Sequence, residues 1–586
     1  MMNAVLSTTS SLWRLPTTRV IVSSILSLPF SIATCAQSYS VLIRNAVRVK
    51  MRDGIVLVAD VYEPQSTEKF PVLVNRTPYS RATHAAVANG LASHGYLVVL
   101  EDTRGRFDSD GEFYPFRYEM QDGCDTVEWA AALPSSSGRV GMFGASYEGA
   151  TQWLAALAKP PHLVALFPEL TSSEYREGWI YQSGALMQWF ASSWTSDLAT
   201  DTLRHKAEED VDLKRWTMQL PIDSYRILEP PSVSTLAPYF RDWIVHEHDD
   251  QYWRPWKISD HYRELNIKVL HLGGWHDIFL KGSITNFLGM QTSSPAAADQ
   301  RLLIDPRSHG EDDKATGRVG DVTFGQGALV DETREALHWF DYTLKGLPTE
   351  YAAGSPVRIF VMGENVWRDE QEFPLKRTRY TKYYLHHAGL STEPPGDEPP
   401  ESYNYNPAKP VPTIGGRLCC ANDELPPGPF DQRANEKRPD VLVFSTPPLV
   451  NDIEITGFVR AEIYAATSAA DTDFTAMLTD VEPSGYSRFL TDGIVRASHR
   501  NPTAEGEAIK AGQVYEYDID LWATSNVFKA GHRIRLSISS SNFPRFNRNL
   551  NTGEALHAST RMVTARQKVY HDSKHLSAVV LPLIPR

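Results

Sequence analysis

From residue 45 to residue 170 short unbroken apolar runs alternate with stretches of helical period. Strand-like runs at 55–62, 71–75, 96–102 and 139–143 enclose helical stretches at 85–94 and 122–133. Val72-Leu73-Val74 and Leu97-Val98-Val99-Leu100 offer no polar residue to either face. A strand of that kind must be covered on both sides, which is the condition met in a parallel sheet with helices above and below. The alternation therefore predicts a doubly wound α/β domain.

The alternation stops near Leu170. Residues 171–262 are rich in Trp, Tyr, Ser and Glu and have helical rather than strand periodicity. Strand-like runs then resume at 267–274 and 301–305, with a helix around 283–290 between them. A helical insertion within one α/β domain accounts for this order. Past residue 355, Val459-Arg460-Ala461-Glu462-Ile463 and the run 533–538 alternate apolar with polar residues, separated by Pro/Gly-rich turns. That period of two predicts an antiparallel β-sandwich or jelly roll. Residues 391–413, rich in Pro and Asn, are expected to make a long surface excursion. A chain of 586 residues is too long for one core. The expected plan is an α/β domain in two parts (45–170 and 263–350), a helical cap (171–262) and a β jelly roll (355–586).

Arg14 and Arg19 precede an uncharged run over 20–36, and no acid occurs before Asp53. With small residues at Thr34 and Ala36, this predicts a signal peptide over 1–36 and a secreted or periplasmic protein. Pro29 and the serines make the run a poor membrane span. Cys35 is an alternative lipid-attachment point. The 58 basic and 71 acidic residues give a net charge of −13, and no Lys/Arg cluster offers a nucleic acid a basic face. The four cysteines form no zinc-site spacing, and Cys419-Cys420 are read as free thiols without chemistry. No metal or organic cofactor is expected. The expected partner is a small-molecule ester or amide, and oligomeric state is not legible.

The sharpest motif is Gly144-Ala145-Ser146-Tyr147-Glu148-Gly149, placed after the strand at 139–143 and before a helix at 148–158. A tight strand-to-helix turn drives a serine hydroxyl out of the sheet's C-terminal edge, which is what a nucleophile elbow requires. The new helix also offers the Tyr147 backbone N–H to a developing oxyanion. Glu148 is expected to face along the helix. Partners follow in the order Ser, acid, His: Asp277 after the strand at 267–272, and His309 in the loop after 301–304. His309 would take the Ser146 proton and Asp277 would fix its tautomer. His276 and Asp305 are the rival members. Asp102 and Arg104, at another strand end, are expected to form a buried structural pair.

These residues carry a resemblance. Arg76-Thr77-Pro78-Tyr79, residues 101–105, 141–149 and 274–279, Ser308-His309 and residues 520–526, 539–545 and 549–553 are similar to the cocaine-esterase-like serine hydrolases. That family is related to the X-Pro dipeptidyl-peptidases and the α-amino-acid ester hydrolases. The resemblance runs from about residue 45 to the C-terminus. It implies an α/β-hydrolase domain, an inserted helical cap and a C-terminal jelly roll. It also implies that the Tyr79 hydroxyl joins the Tyr147 N–H as oxyanion donor, and that Trp179, Trp194 and Phe279 line the acyl pocket.

The expected activity is hydrolysis of carboxylic esters through an acyl-enzyme. An aminopeptidase, acylase or amino-acid ester hydrolase shares the mechanism, and a non-catalytic binding protein shares only the fold. The relatives that select amino acids carry acids two and three residues past the triad aspartate. This chain has Phe279 and Leu280 there, with Glu148, Glu174 and Glu177 the nearby acids, so neutral acyl groups are expected.

Overall fold

The computed structural model describes residues 38–585 apart from 204–217, 226–236, 249, 311–312, 388, 421, 502–505 and 556. The signal-peptide segment, 1–36, lies outside the described residues. Residues from Ser38 onward form one compact unit.

Strands β1 (Val41–Lys50), β2 (Val56–Pro64), β3 (Phe70–Thr77), β4 (Leu97–Asp102), β5 (Ser136–Ala145) and β6 (Leu163–Glu169) build the first half of a ten-stranded sheet. Helices α1 (Ala85–Ser93), α2 (Glu119–Ala131) and α3 (Tyr147–Leu157) connect them. The second half comprises β7 (Lys268–Gly274), β8 (Gln300–Asp305), β9 (Val357–Val361) and β10 (Val366–Glu370). The strand order is β1-β2-β4-β3-β5-β6-β7-β8-β9-β10. Every pairing from β4 through β9 is parallel.

The continuous apolar runs are used on both faces. Val72, Val74, Leu97 and Val99 point to one core with Val127 and Ala130 of α2 and Trp153 and Leu154 of α3. Their chain neighbours Leu73, Val98 and Leu100 point to another, with Ala88, Leu91 and Ala92 of α1. Successive residues thus serve opposite layers, each fully buried aliphatic side chain contributing roughly 1.5–3 kcal/mol.

Between β6 and β7 the chain leaves the sheet. That excursion carries a short hairpin (Tyr181–Gln182 with Ala185–Leu186) and helices α4 (Gln188–Leu203) and α5 (Pro238–Val245). The C-terminal part is an antiparallel-rich β-sandwich of eleven described strands, in which Val459, Ala461, Ile463 and Ala465 alternate into the core. The expected excursion over 391–413 is corrected in part. Glu401–Tyr405 is a strand paired antiparallel with Ala565–Tyr570, its Tyr403 and Tyr405 side chains buried. The apolar Tyr403 and Tyr405 alternate with Ser402 and Asn404, a strand period hidden among prolines.

The sandwich is welded to the sheet. Trp522 and Ala523 share a core with Trp275, Leu280, Ile304 and Val357. Lys281 pairs with Asp520 at 3.0 Å. The loop that carries Asp277 is therefore clamped from both sides.

Candidate active site

Ser146 sits between β5 and α3 with φ 59° and ψ −123°. A non-glycine residue held there costs on the order of 1–3 kcal/mol, sustained by its surroundings. The Ser146 N–H donates to Glu169 O at 2.9 Å, and Gly149 and Ala150 donate back to Ser146 O. A Cβ at Gly144 would fall 2.5 Å from both Asn75 Nδ2 and Glu148 Oε2, and one at Gly149 would fall 2.8 Å from Thr171. The two glycines therefore let the turn close.

Glu148 does not face along the helix as expected. It is buried beneath the elbow, accepting from Asn75 Nδ2 at 3.0 Å and meeting His84 Nε2 at 2.7 Å. A buried carboxylate must be paired, and these two groups do it.

Tyr79 follows β3 at the same sheet edge. Its hydroxyl accepts from Trp194 Nε1 at 3.0 Å and lies beside the Ser146 side chain. Burial pushes the phenol well above its ordinary value, and the neighbouring Cys420 and Cys419 thiols add to the rise. The hydroxyl stays protonated, and with its lone pair engaged by Trp194 its own hydrogen is available to donate. Tyr147 is used differently. Its hydroxyl donates to Glu119 at 3.0 Å and accepts from Phe116 N at 2.8 Å, so only its backbone N–H, the first of α3, is left for a ligand.

Asp277 is fully buried in the loop after β7. Its Oδ2 meets His309 Nδ1 at 2.6 Å, and its Oδ1 accepts from Phe279 N at 2.7 Å. Trp275 N and His276 N donate to Asp305 O and Arg307 O, which zips this loop to the one carrying His309. The rivals lie elsewhere. His276 is buried near Phe324 and Phe489, and burial pushes it down to about 3, so it stays neutral. Asp305 pairs with Arg307 at 2.6 Å.

Phe279 stands edge-on to His309, with ring centroids 5.1 Å apart. It stacks on Trp179 at 4.2 Å, and Trp179 meets Trp194 edge-to-face at 5.5 Å. All three rings are buried. The structure thus gathers Ser146, Tyr79, Trp194, Trp179, Phe279, His309 and Asp277 through a chain of contacts. A hydroxyl on a strained turn and a carboxylate-held imidazole are the kinds of group that acyl transfer uses.

The expected Asp102–Arg104 pair is not formed. Asp102 is held by Arg81, while Arg104 pairs with Asp122 at 2.6 Å and Asp53 at 2.7 Å. The strand ends at Asp102 and Arg104 lies in the turn beyond it, so the i, i+2 relation of a strand does not hold and each finds a different partner.

Cys419 and Cys420, read from the sequence as free thiols, lie near the site. They are free, and both lie within electrostatic reach of Tyr79. Cys420 has a left-handed φ of 68°.

Residues 53–311 match the X-Pro dipeptidyl-peptidase (S15 family), and residues 351–580 match the X-Pro dipeptidyl-peptidase C-terminal non-catalytic domain. The cocaine esterase of Rhodococcus sp. (strain MB1 Bresler) is 37% identical over 582 residues, covering 94% of this chain and 99% of that protein. An aminopeptidase from the marine sediment archaeon Thaumarchaeota archaeon has TM-score 0.83 at 23% identity, covering 95% of this chain and 99% of its own. An α-amino acid ester hydrolase has TM-score 0.77 at 24% identity, covering 97% and 100%. At those identities the two structures speak to the fold.

Proposed function

The chain belongs to the cocaine-esterase-like family of serine hydrolases, and from that premise we propose that Ser146, His309 and Asp277 hydrolyse carboxylic esters through an acyl-enzyme. The observation that carries this reading is the 2.6 Å contact of Asp277 Oδ2 with His309 Nδ1, together with Ser146 on its strained strand-to-helix turn. Ser146 Oγ attacks the ester carbonyl and its proton passes to His309. The oxyanion is met by the Tyr79 hydroxyl and the Tyr147 N–H. Collapse of the intermediate expels the alcohol, which takes the proton from His309. Water then repeats the sequence on the acyl-enzyme, releasing the acid. Asp277, bound to Nδ1, holds the imidazole in orientation and balances its charge while it carries the extra proton.

Trp179, Trp194 and Phe279 form the wall of the acyl pocket, which selects neutral aromatic or apolar acyl groups. Support comes from three acids of the cap and the elbow, each of them engaged. Glu148 meets Asn75 and His84, Glu174 meets Ser259 and Lys257, and Glu177 meets Lys281. The same reading divides the chain into a hydrolase domain (45–170 and 263–350), a cap (171–262) and a jelly roll (355–586), preceded by an export signal.

A panel of p-nitrophenyl esters, aminoacyl anilides and side-chain amides tests the reading. Turnover confined to the esters is expected. Preference for anilides or amides would make the chain a peptidase or acylase, and inertness toward both the panel and a fluorophosphonate probe would leave a binding protein.

A further inference from the structure

One loop of the sandwich touches the hydrolase site on two sides. Reciprocal hydrogen bonds between Gly416 and Gly428, N to O at 2.7 and 2.9 Å, close its base. Arg417 anchors it there, fully buried and donating to Thr491 Oγ1 at 2.7 Å. Toward one end of the loop, the Cys420 carbonyl accepts from Trp189 Nε1 on α4 at 3.0 Å. Toward the other, Pro427 lies so close to Gly310, the residue after His309, that a Cβ there would meet its Cγ at 3.4 Å. The loop thus touches both the helix that carries Trp194 and the turn that carries His309.

The loop holds two adjacent thiols, Cys419 and Cys420, both free. Cys419 is 5% exposed and belongs to the same buried cluster as Trp189, Trp194 and Phe279. Cys420 packs against that cluster and stays partly open to solvent. Burial pushes the Cys419 thiol well above its ordinary value, so Cys420 is the one that meets a reagent first. Cys420 is also held at φ 68°, a conformation that costs a residue with a Cβ. Adjacent Cα atoms lie about 3.8 Å apart across a trans peptide, short of the roughly 4.4–6.8 Å that an unstrained disulfide spans. A bond between these sulfurs therefore closes only if the Cys420 backbone turns, and it is readily reduced again. The carbonyl that Trp189 holds belongs to that backbone.

We propose that Cys419 and Cys420 are a modification site that takes a hydroperoxide and forms a reversible vicinal disulfide, slowing the enzyme. Cys420 Sγ attacks the O–O bond of hydrogen peroxide and becomes a sulfenic acid, releasing water. Cys419 Sγ then displaces the sulfenic oxygen as a second water, so both thiol hydrogens and two electrons leave as one S–S bond forms. The turn of Cys420 loosens Trp189 and, through α4, the Trp194 that holds Tyr79. The inference rests on the esterase reading only for its kinetic readout. The full chain, reduced first, is treated with hydrogen peroxide and then with dithiothreitol, and peptide mass and ester turnover are followed at each stage. The peptide holding both cysteines should lose the mass of two hydrogen atoms, and dithiothreitol should restore it. In parallel kcat should fall at least about tenfold and recover, the scale expected of a displaced oxyanion donor. Cys420→Ser should keep the activity of the reduced enzyme and resist the oxidant, whereas Cys124→Ser should stay as sensitive as wild type. A peptide that gains oxygen instead of losing hydrogen, a linked peptide with unchanged kcat, or a loss of activity that persists in Cys420→Ser overturns the site. Inertness toward esters even when reduced sinks the esterase reading, and the mass loss alone then decides the site.

Discussion

The indole N–H of Trp194 donates to the hydroxyl of Tyr79 at 3.0 Å. One partner lies on the inserted segment and the other on the edge of the central sheet, so the excursion between β6 and β7 fixes the direction in which Tyr79 can donate. Tyr79→Phe keeps the ring and removes that donor. If the hydroxyl serves the oxyanion, kcat should fall about 10²–10³-fold with little change in KM. Steady-state kinetics on a p-nitrophenyl ester reads the split, and a near-normal kcat would reduce Tyr79 to a packed turn residue.

The acyl preference is measured with phenylacetyl and phenylglycyl esters of one alcohol, which differ by a single amino group. Because Glu148, Glu174 and Glu177 are already engaged, an ammonium on the acyl side would find none of them free. The phenylglycyl ester should be slower by on the order of 10²-fold in kcat/KM. Faster turnover of the phenylglycyl ester would place this chain with the amino-acid ester hydrolases in its specificity.

Much of this arrangement was legible in the sequence, because its parts are local. The elbow announces itself through Gly144, Ser146 and Gly149, whose spacing is dictated by a turn where a Cβ does not fit. Asp277 and His309 each follow a short apolar strand, and parallel strands deliver such loops to the same edge. The paired period of β3 and β4, one face to each core, is written in consecutive valines and leucines. What stayed hidden depends on contacts between distant segments. Glu148 is drawn under the elbow by Asn75 and His84, neither of them near it in sequence. Asp102 and Arg104 look like a pair and are separated by the turn that ends β4. The sandwich strand at Glu401–Tyr405 is masked by flanking prolines. Periodicity reports which face a residue takes, not which partner waits there.

Export is tested at the N-terminus. Expressed from Met1 in a Gram-negative host, the active enzyme should be recovered outside the cytoplasm with its first residue close to Gln37, the signal removed near Ala36. Finding Met1 or Met2 at the start of the soluble active enzyme would refute the signal.

The most direct measurement is the turnover of Ser146→Ala on the best ester, beside fluorophosphonate labelling of the wild-type chain. Removing Oγ eliminates the acyl-enzyme route, so kcat should fall by about 10⁶ while the variant keeps its thermal unfolding profile. The probe should modify the wild-type peptide containing Ser146 and leave the variant unlabelled. An Ser146→Ala enzyme that keeps more than a few per cent of its activity, or a label found on another residue, would contradict the account.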